Sequence, residues 1–302
     1  VDGGAIYFYH SNSNVSFESS NFTSCSAKFE GGAVLINKNN FDITFKSSTF
    51  TSCSAKEGGA LYFYDGNTNV SIELSTFTSC RADYGGAVLV LQNNTDVNFK
   101  SSTFMSCNAP KYGGALVFYQ NNAHVRIESS TFMNCSTNEG QGGALYFSVG
   151  NSDLSAESNN FTSCSAASQG GALFFERYNS NVSISSSTFT SCSAQSDGGA
   201  LSFLLGNTNV SFESSTITSC SAGLKGGAIA VGVSNSNIKF KSSNFTSCSA
   251  RVNGGAIWLD TGNNDFVVDS SHFVSNTAGD QNKNGIGGAI YAGQNNLRIA
   301  LI

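Results

Sequence analysis

The sequence has 302 residues, among them 32 glycines, nine cysteines and one proline, and it carries a net charge of −5. With 24 phenylalanines and only 12% charged residues it is not a disordered chain, which would be more charged and less aromatic. No apolar run comes near the roughly 20 residues of a membrane helix, and the modest negative charge argues against nucleic acid as a partner.

The tripeptide Gly-Gly-Ala divides the chain into repeat units of about 28 residues. It occurs eleven times and contains 22 of the 32 glycines. It begins at Gly3, Gly31, Gly58, Gly85, Gly113, Gly142, Gly170, Gly198, Gly226, Gly254 and Gly287. All nine cysteines share one position of the unit, where the tenth unit has Asn276. They are Cys25, Cys53, Cys80, Cys107, Cys135, Cys164, Cys192, Cys220 and Cys248.

Each unit contains three short segments with the alternation that is typical of strands. The first follows Gly-Gly-Ala and has an apolar residue at every second position, as at Leu61 and Phe63. The second shows the same spacing at Val70 and Ile72, and the third is centred on an aromatic residue such as Phe77. No segment has the 3.6-residue period of a helix. The pattern therefore predicts three strands per unit.

Three short strands cannot bury an apolar face alone, but stacked units bury a continuous core. The sequence thus predicts an all-β protein, a single-stranded right-handed parallel β-helix (β-solenoid) of about ten coils of ~28 residues, with three strands per coil. Each strand would pair with its copies about 4.8 Å above and below, so that like residues stack. We expect one continuous β-helix over residues 1–302, part of a longer repeat protein.

Three recurring features outside the core have structural interpretations. The glycine pair suits a sharp corner or a close approach of two backbones. A charged column, with Glu18, Lys46, Glu73 and Lys100 alternating in sign, would favour register at roughly 0.2–1 kcal/mol per exposed pair. Asx residues, which tolerate unusual dihedrals, precede the second strand. They are Asn14, Asp42, Asn69, Asp96, Asp153, Asn181, Asn209, Asn237, Asp265 and Asn296, with His124 as the exception.

The pairing of Gly-Gly-Ala-Ile with Phe-x-x-Asn resembles the repeat of chlamydial polymorphic outer membrane proteins. The tenth unit is most similar, with Phe273-Val274-Ser275-Asn276 followed by Gly287-Gly288-Ala289-Ile290, whereas the other nine units have Phe-x-x-Cys. The resemblance implies a parallel β-helix at a cell surface with a role in adhesion or surface architecture. It also implies that a thiol ladder replaces the family's inward asparagine ladder.

The cysteine column has three interpretations. Buried, reduced thiols would act as small apolar side chains. Disulfides between successive coils fit the distance, although parallel Cβ vectors and an odd number of cysteines oppose them. A metal site is disfavoured because a linear array offers no tetrahedral closure. We expect an internal ladder and no metal or cofactor.

Asn-x-Ser/Thr sequons also recur with the unit, mostly in the turns that flank the second strand. In a eukaryotic secretory setting they would accept N-linked glycans. The alternative is chance, since the chain is rich in asparagine, serine and threonine. The sequons begin at Asn14, Asn21, Asn69, Asn93, Asn160, Asn181, Asn209 and Asn244, and a weaker one at Asn134 contains a cysteine.

The outward positions of the first strand form an unusually apolar column. Contiguous exposed apolar surface usually marks an interface, and this one would be covered by another β-helix, another part of the parent chain, or sugars stacked on the rings. The alternative is a sheet face that simply tolerates tyrosine. The residues are Tyr7, Tyr9, Tyr62, Tyr64, Tyr119, Tyr146, Phe174, Trp258 and Tyr291.

These observations predict a non-enzymatic extracellular protein, a rod that forms a cell-surface fibre, filament or coat by lateral or end-to-end packing. The alternative is an adhesin or carbohydrate-binding β-helix. An ice-binding solenoid, suggested by the threonine column of the third strand, and a polysaccharide-degrading enzyme are less favoured. The one marked irregularity, residues 279–286, has the composition of a loop, so we expect no catalytic residues. Expected partners are further copies, other surface proteins or glycans, without nucleic acid or membrane insertion.

Overall fold

The computed structural model describes residues 4–280 and 283–302. Gly3 and the residues at 281 and 282 of the predicted loop lie outside this part of the chain. The described residues form strands and no helix, so none of their segments is a helix that could span a membrane. Successive coils pair in parallel, which confirms the predicted all-β solenoid of about ten coils.

Three long sheets run the length of the rod, as predicted. The first contains Ile6–His10, Val34–Lys38, Leu61–Asp65, Val88–Gln92, Leu116–Gln120, Leu145–Val149, Leu173–Arg177, Leu201–Leu205, Ile229–Val233, Ile257–Leu259 and Ile290–Ala292. The second contains Ser13–Glu18, Phe41–Lys46, Thr68–Glu73, Thr95–Lys100, Ala123–Glu128, Ser152–Glu157, Ser180–Ser185, Thr208–Glu213, Ser236–Lys241, Asn264–Asp269 and Leu297–Leu301. The third contains Asn21–Thr23, Thr49–Thr51, Thr76–Thr78, Thr103–Met105, Thr131–Met133, Asn160–Thr162, Thr188–Thr190, Thr216–Thr218, Asn244–Thr246 and His272–Val274.

A short fourth sheet, absent from the sequence prediction, begins after Cys107, the fourth cysteine. It contains Asn108–Ala109, Ser136–Thr137, Ser165–Ala166, Ser193–Ala194, Ser221–Ala222, Ser249–Ala250, Thr277–Asp280 and Lys283–Asn284, the last strand antiparallel. Four residues separate Cys53 from Gly58, whereas five separate Cys107 from Gly113. The four-residue connections after Cys53 and Cys80 form only isolated bridges with their neighbours. Most of these strands are two residues long, which is too short to show an alternating pattern.

The core is built from ladders of identical residues in register, as the repeat predicts. Phe50 and Phe77 lie with ring centroids 4.6 Å apart and planes inclined by 4°. The same stacked geometry continues through Phe104 and Phe132 to Phe161. Such aromatic contacts add stability beyond the area that they bury.

A second interior ladder, of asparagines in the turn between the first two strands, was missed by sequence reasoning. In the steps from Asn12 to Asn235, one side-chain oxygen accepts two hydrogen bonds from the asparagine of the coil before it, whereas Asn263 and Asn296 each accept only the backbone bond. For example, Asn122 Oδ1 accepts from the backbone nitrogen of Asn94 at 3.0 Å and from its Nδ2 at 3.1 Å. The buried members are Asn40, Asn67, Asn94, Asn122, Asn151, Asn179, Asn207, Asn235 and Asn263.

The Asx column, predicted to precede the second strand, lies at the second residue of that strand and adopts left-handed backbone dihedrals, with φ between 52° and 55°. This agrees with the tolerance of Asx residues for such dihedrals. Assigning Asn296 to this column was wrong. Asn296 continues the buried asparagine ladder by accepting from the backbone of Asn263, and Arg298 occupies the Asx column beside Asp265, at 3.1 Å. The reason is that Ile299, which pairs with Phe266, is the first inward residue of that strand.

The glycine pairs combine both predicted roles. The first glycine of a pair has a positive φ, such as 65° at Gly170. A Cβ on the second glycine would collide with backbone of the next coil, as Gly171 shows against the carbonyl oxygen of Gly199. The pair therefore sets both the corner and the spacing between coils.

Candidate binding sites on the lateral faces

The cysteine column lies in the interior, and all nine thiols are free. Eight are buried and Cys25 is partly buried. Each thiol points at main-chain oxygens, as Cys164 Sγ does at Phe132 O, 3.5 Å, and at Thr162 O, 3.7 Å. Asn276 makes the corresponding contact by donating from Nδ2 to Phe245 O at 2.9 Å. This geometry matches the first of the three interpretations, in which buried, reduced thiols fill the core as small apolar side chains.

We expect alkaline pH to weaken the fold through Cys248. Burial raises the pKa of Cys248 to about 11, whereas a thiol in the unfolded chain ionises near about 8.5. Between these values the unfolded chain binds fewer protons, so the free energy of unfolding falls as pH rises. The loss is about 1.4 kcal/mol for each unit of pKa difference.

Urea unfolding followed by circular dichroism across this pH window measures the effect. In Cys248→Ala the free energy of unfolding should fall less steeply with pH than in the unmodified chain, because a thiol with a raised pKa has been removed. A midpoint that does not change between about pH 8.5 and about pH 11 would contradict the prediction.

All nine sequon asparagines are exposed, but their side chains are not equivalent. In the Asx column, Asn181 and Asn209 use Nδ2, the nitrogen that would carry a glycan, to bond the preceding coil. In the third sheet, Asn21 and Asn160 instead accept a hydrogen bond from the threonine two residues later. A glycan would therefore disturb the second sheet more than the third.

The structure corrects the expected exposure of the aromatic face. Tyr62, Tyr146, Phe174 and Trp258 are buried, the last with 6% of its surface exposed. Tyr7, Tyr9 and Tyr119 are exposed, and Tyr64 and Tyr291 are half-buried.

Several of the residues that precede the Gly-Gly pairs cover the aromatic column. We call these residues the cover column; it includes Glu57, Tyr84, Tyr112, Gln169, Asp197 and Lys225. Tyr112 stacks on Tyr146 with ring centroids 4.5 Å apart, and Lys225 Nζ lies 4.1 Å from the centroid of the Trp258 ring. The face expected to meet another molecule is thus largely closed by the chain itself.

Two clefts remain open along this face. The first, which we call the tyrosine cleft, has a volume of about 410 Å³. It is lined by Glu57, Tyr84, Leu89, Leu91, Tyr112 and Tyr119. Burial raises the pKa of the Glu57 carboxyl. Aromatic walls beside a carboxylate suit a ligand with both apolar and hydrogen-bonding surface.

The second, which we call the mixed-charge cleft, has a volume of about 180 Å³. Side chains at its walls include Gln169, Asp197, Ser202, Lys225, Ala230, Trp258 and Asp260. Sequence reasoning named Trp258 among these residues but missed the others. The available signal was the change from large residues to Ser202 and Ala230 in the outward column of the first strand.

A shallow groove of about 770 Å³ runs along the fourth sheet. Ser165, Ser193, Ser221 and Ser249 repeat along it, and Gln195 and Arg251 stand among the small residues. On the third sheet Met105 stacks on Met133 and interrupts the threonine column. The described residues contain no cluster of three or more metal-ligating side chains.

Comparisons with known proteins bear on the fold. No family model matches this chain, and no curated protein is significantly similar to it. Among solved structures, the chain is similar to that of the Streptococcus pneumoniae surface protein and adhesin PfbA, at 13% sequence identity and a TM-score of 0.54. The similarity covers 99% of this chain and 92% of that chain. At this identity it supports the solenoid architecture.

Proposed function

We propose that this chain is a non-enzymatic cell-surface rod of the adhesin type, which binds extracellular ligands through its lateral face. The observation that carries the proposal is that the cover column closes most of the first sheet and leaves two shaped clefts. A purely structural fibre needs uniform faces, whereas a binding protein needs concave sites with a few convergent polar groups.

The interior is consistent with a rod whose core serves the fold and whose binding sites lie on the surface. Its side chains stack on their own copies, and Asp197 Oδ1 alone among the buried side-chain polar atoms of the described residues has no partner. Complete burial of most thiols would also protect them from oxidants outside the cell. The likeness in fold to a surface protein named as an adhesin is consistent with the proposal.

Binding of the intact chain to immobilised extracellular glycans and matrix proteins, measured by interferometry, tests the proposal. Tyr119→Ala removes an exposed ring from the tyrosine cleft, and we expect it to weaken binding by about 1–2 kcal/mol, as for an interface anchor. Tyr9→Ala is the matched control, because that ring is 62% exposed and lies outside both clefts.

A structural fibre is the second candidate. The third sheet favours it, because this face repeats the same outward residues in register, with Met105 and Met133 exposed. Analytical ultracentrifugation separates the two functions. Assembly that grows with concentration, together with no binding to any member of the panel, would favour the fibre and contradict the adhesin.

A further inference from the structure

The mixed-charge cleft exists because the outward column of the first sheet is interrupted. In register, Phe174 pairs with Ser202, Ser202 with Ala230, and Ala230 with Trp258. Two small residues thus stand between two large aromatic ones, and the missing side chains leave the cleft. We propose that this cleft binds a single neutral sugar ring, an assignment that rests on the proposed adhesin function and names its ligand class.

An unpartnered acceptor marks the polar side of the cleft. Asp197 Oδ1 is buried without a hydrogen-bond partner, while its Oδ2 accepts from Gln169 Nε2 at 3.0 Å. Leaving a buried carboxylate oxygen unpaired is costly. Asp197 as a whole is only partly buried, so a small rotation of its carboxylate would present this oxygen to a ligand donor, and binding would recover that cost.

The remaining polar groups favour a hydroxyl-bearing ligand over an amine. Lys225 is a donor over the Trp258 ring, and Asp260 provides a second carboxylate. The hydroxyl of Ser202 both donates and accepts. A sugar hydroxyl also does both, so it matches a site that holds both kinds of partner, whereas an ammonium only donates and would offer Lys225 no acceptor.

The size of the cleft limits the ligand to about one ring. The cleft volume of about 180 Å³ is about six times the volume that one molecule occupies in liquid water. The side chains of Leu204 and Val233 provide apolar wall, and Trp258 closes one end. Aromatic and apolar walls with a few placed polar groups are typical of pockets for small ligands.

Trp258 is the only tryptophan in the chain, so its fluorescence reports on this cleft. The intact chain is titrated separately with neutral hexoses, N-acetylhexosamines, a uronic acid and n-butylamine. We expect a saturable change with a neutral sugar and a dissociation constant in the millimolar range, as for a ligand of few atoms. No saturable change with any sugar, or saturation by the amine alone, would overturn the assignment.

Two variants locate the site. Ala230→Leu fills the gap with the residue that Leu35 and Leu89 place in the same column, so the fold should be retained. In Asp197→Asn the amide oxygen can still accept from Gln169. The amide nitrogen then takes the place of Asp197 Oδ1, so a donor replaces an acceptor at the cleft. Ala230→Leu should weaken sugar binding by at least about tenfold, and Asp197→Asn by a smaller factor, because a sugar hydroxyl can accept from the new amide; saturation-transfer NMR would measure both.

The control is Thr246→Leu, on the third strand of the same coil as Ala230, which should bind sugar like the unmodified chain. Unchanged binding by Ala230→Leu would place the site elsewhere and refute the assignment. The adhesion assay on the same proteins separates the two proposals. Sugar binding without adhesion contradicts only the adhesin function, and adhesion without sugar binding contradicts only the cleft assignment.

Discussion

Replacing Gly171 with alanine is expected to lower the free energy of unfolding by more than about 4 kcal/mol, a loss large enough to prevent folding. The added Cβ would meet the carbonyl oxygen of Gly199 and main-chain atoms of Ser193. These atoms belong to the backbone and cannot rotate away. The coils would have to separate, which breaks the bond from Gly171 N to Gly198 O and weakens the ladders above and below. Urea unfolding followed by circular dichroism measures the loss.

Gly288→Ala is the matched control, because Gly288 is the second glycine of the last pair. A Cβ there meets only Asn276 O, at an ordinary 3.6 Å. Alanine at a compatible glycine position stabilises a protein by about 0.4–1 kcal/mol, so this variant should be neutral or slightly more stable. Equal losses in Gly171→Ala and Gly288→Ala would show that the close approach of coils does not explain the glycine repeat.

The period of the sequence was enough to predict the architecture, because each inward position had many copies that agreed. Phe50 and Phe77 need no structural knowledge to be placed together, since a 27-residue step superposes one strand on its copy. The glycine corners followed for the same reason. Features that recur with the unit are therefore the ones that sequence predicts best.

The candidate sites depend instead on what differs between units. Glu57, Tyr84 and Lys225 share the position before the glycine pair but have no chemistry in common. No sequence pattern therefore predicted that these residues would cover the first sheet. Their folding back over the sheet, which buries Tyr62 and Trp258, is a tertiary effect. An outward position of a strand predicts which side of a sheet a residue lies on; it does not predict exposure.

The asparagine ladder was missed because asparagine in a turn has an adequate local explanation. We expect Asn122→Ala to lower the free energy of unfolding by on the order of 3 kcal/mol, which urea unfolding would measure. The substitution leaves the buried backbone N–H of Asn94 without an acceptor. It also removes the bonds from Asn122 Nδ2 to Asn151 Oδ1 and Leu91 O.

Asn244→Ala is the control for this prediction, since Asn244 is exposed on the third sheet and should change stability by no more than about 0.5 kcal/mol. Equal small effects of the two substitutions would mean that water or neighbouring carbonyls replace the lost acceptor, and that the ladder adds nothing to the stacking of phenylalanines. A large difference would instead make the turn asparagines a second source of coil-to-coil register. The lateral faces could then vary in sequence, as the two clefts do, without loss of the rod.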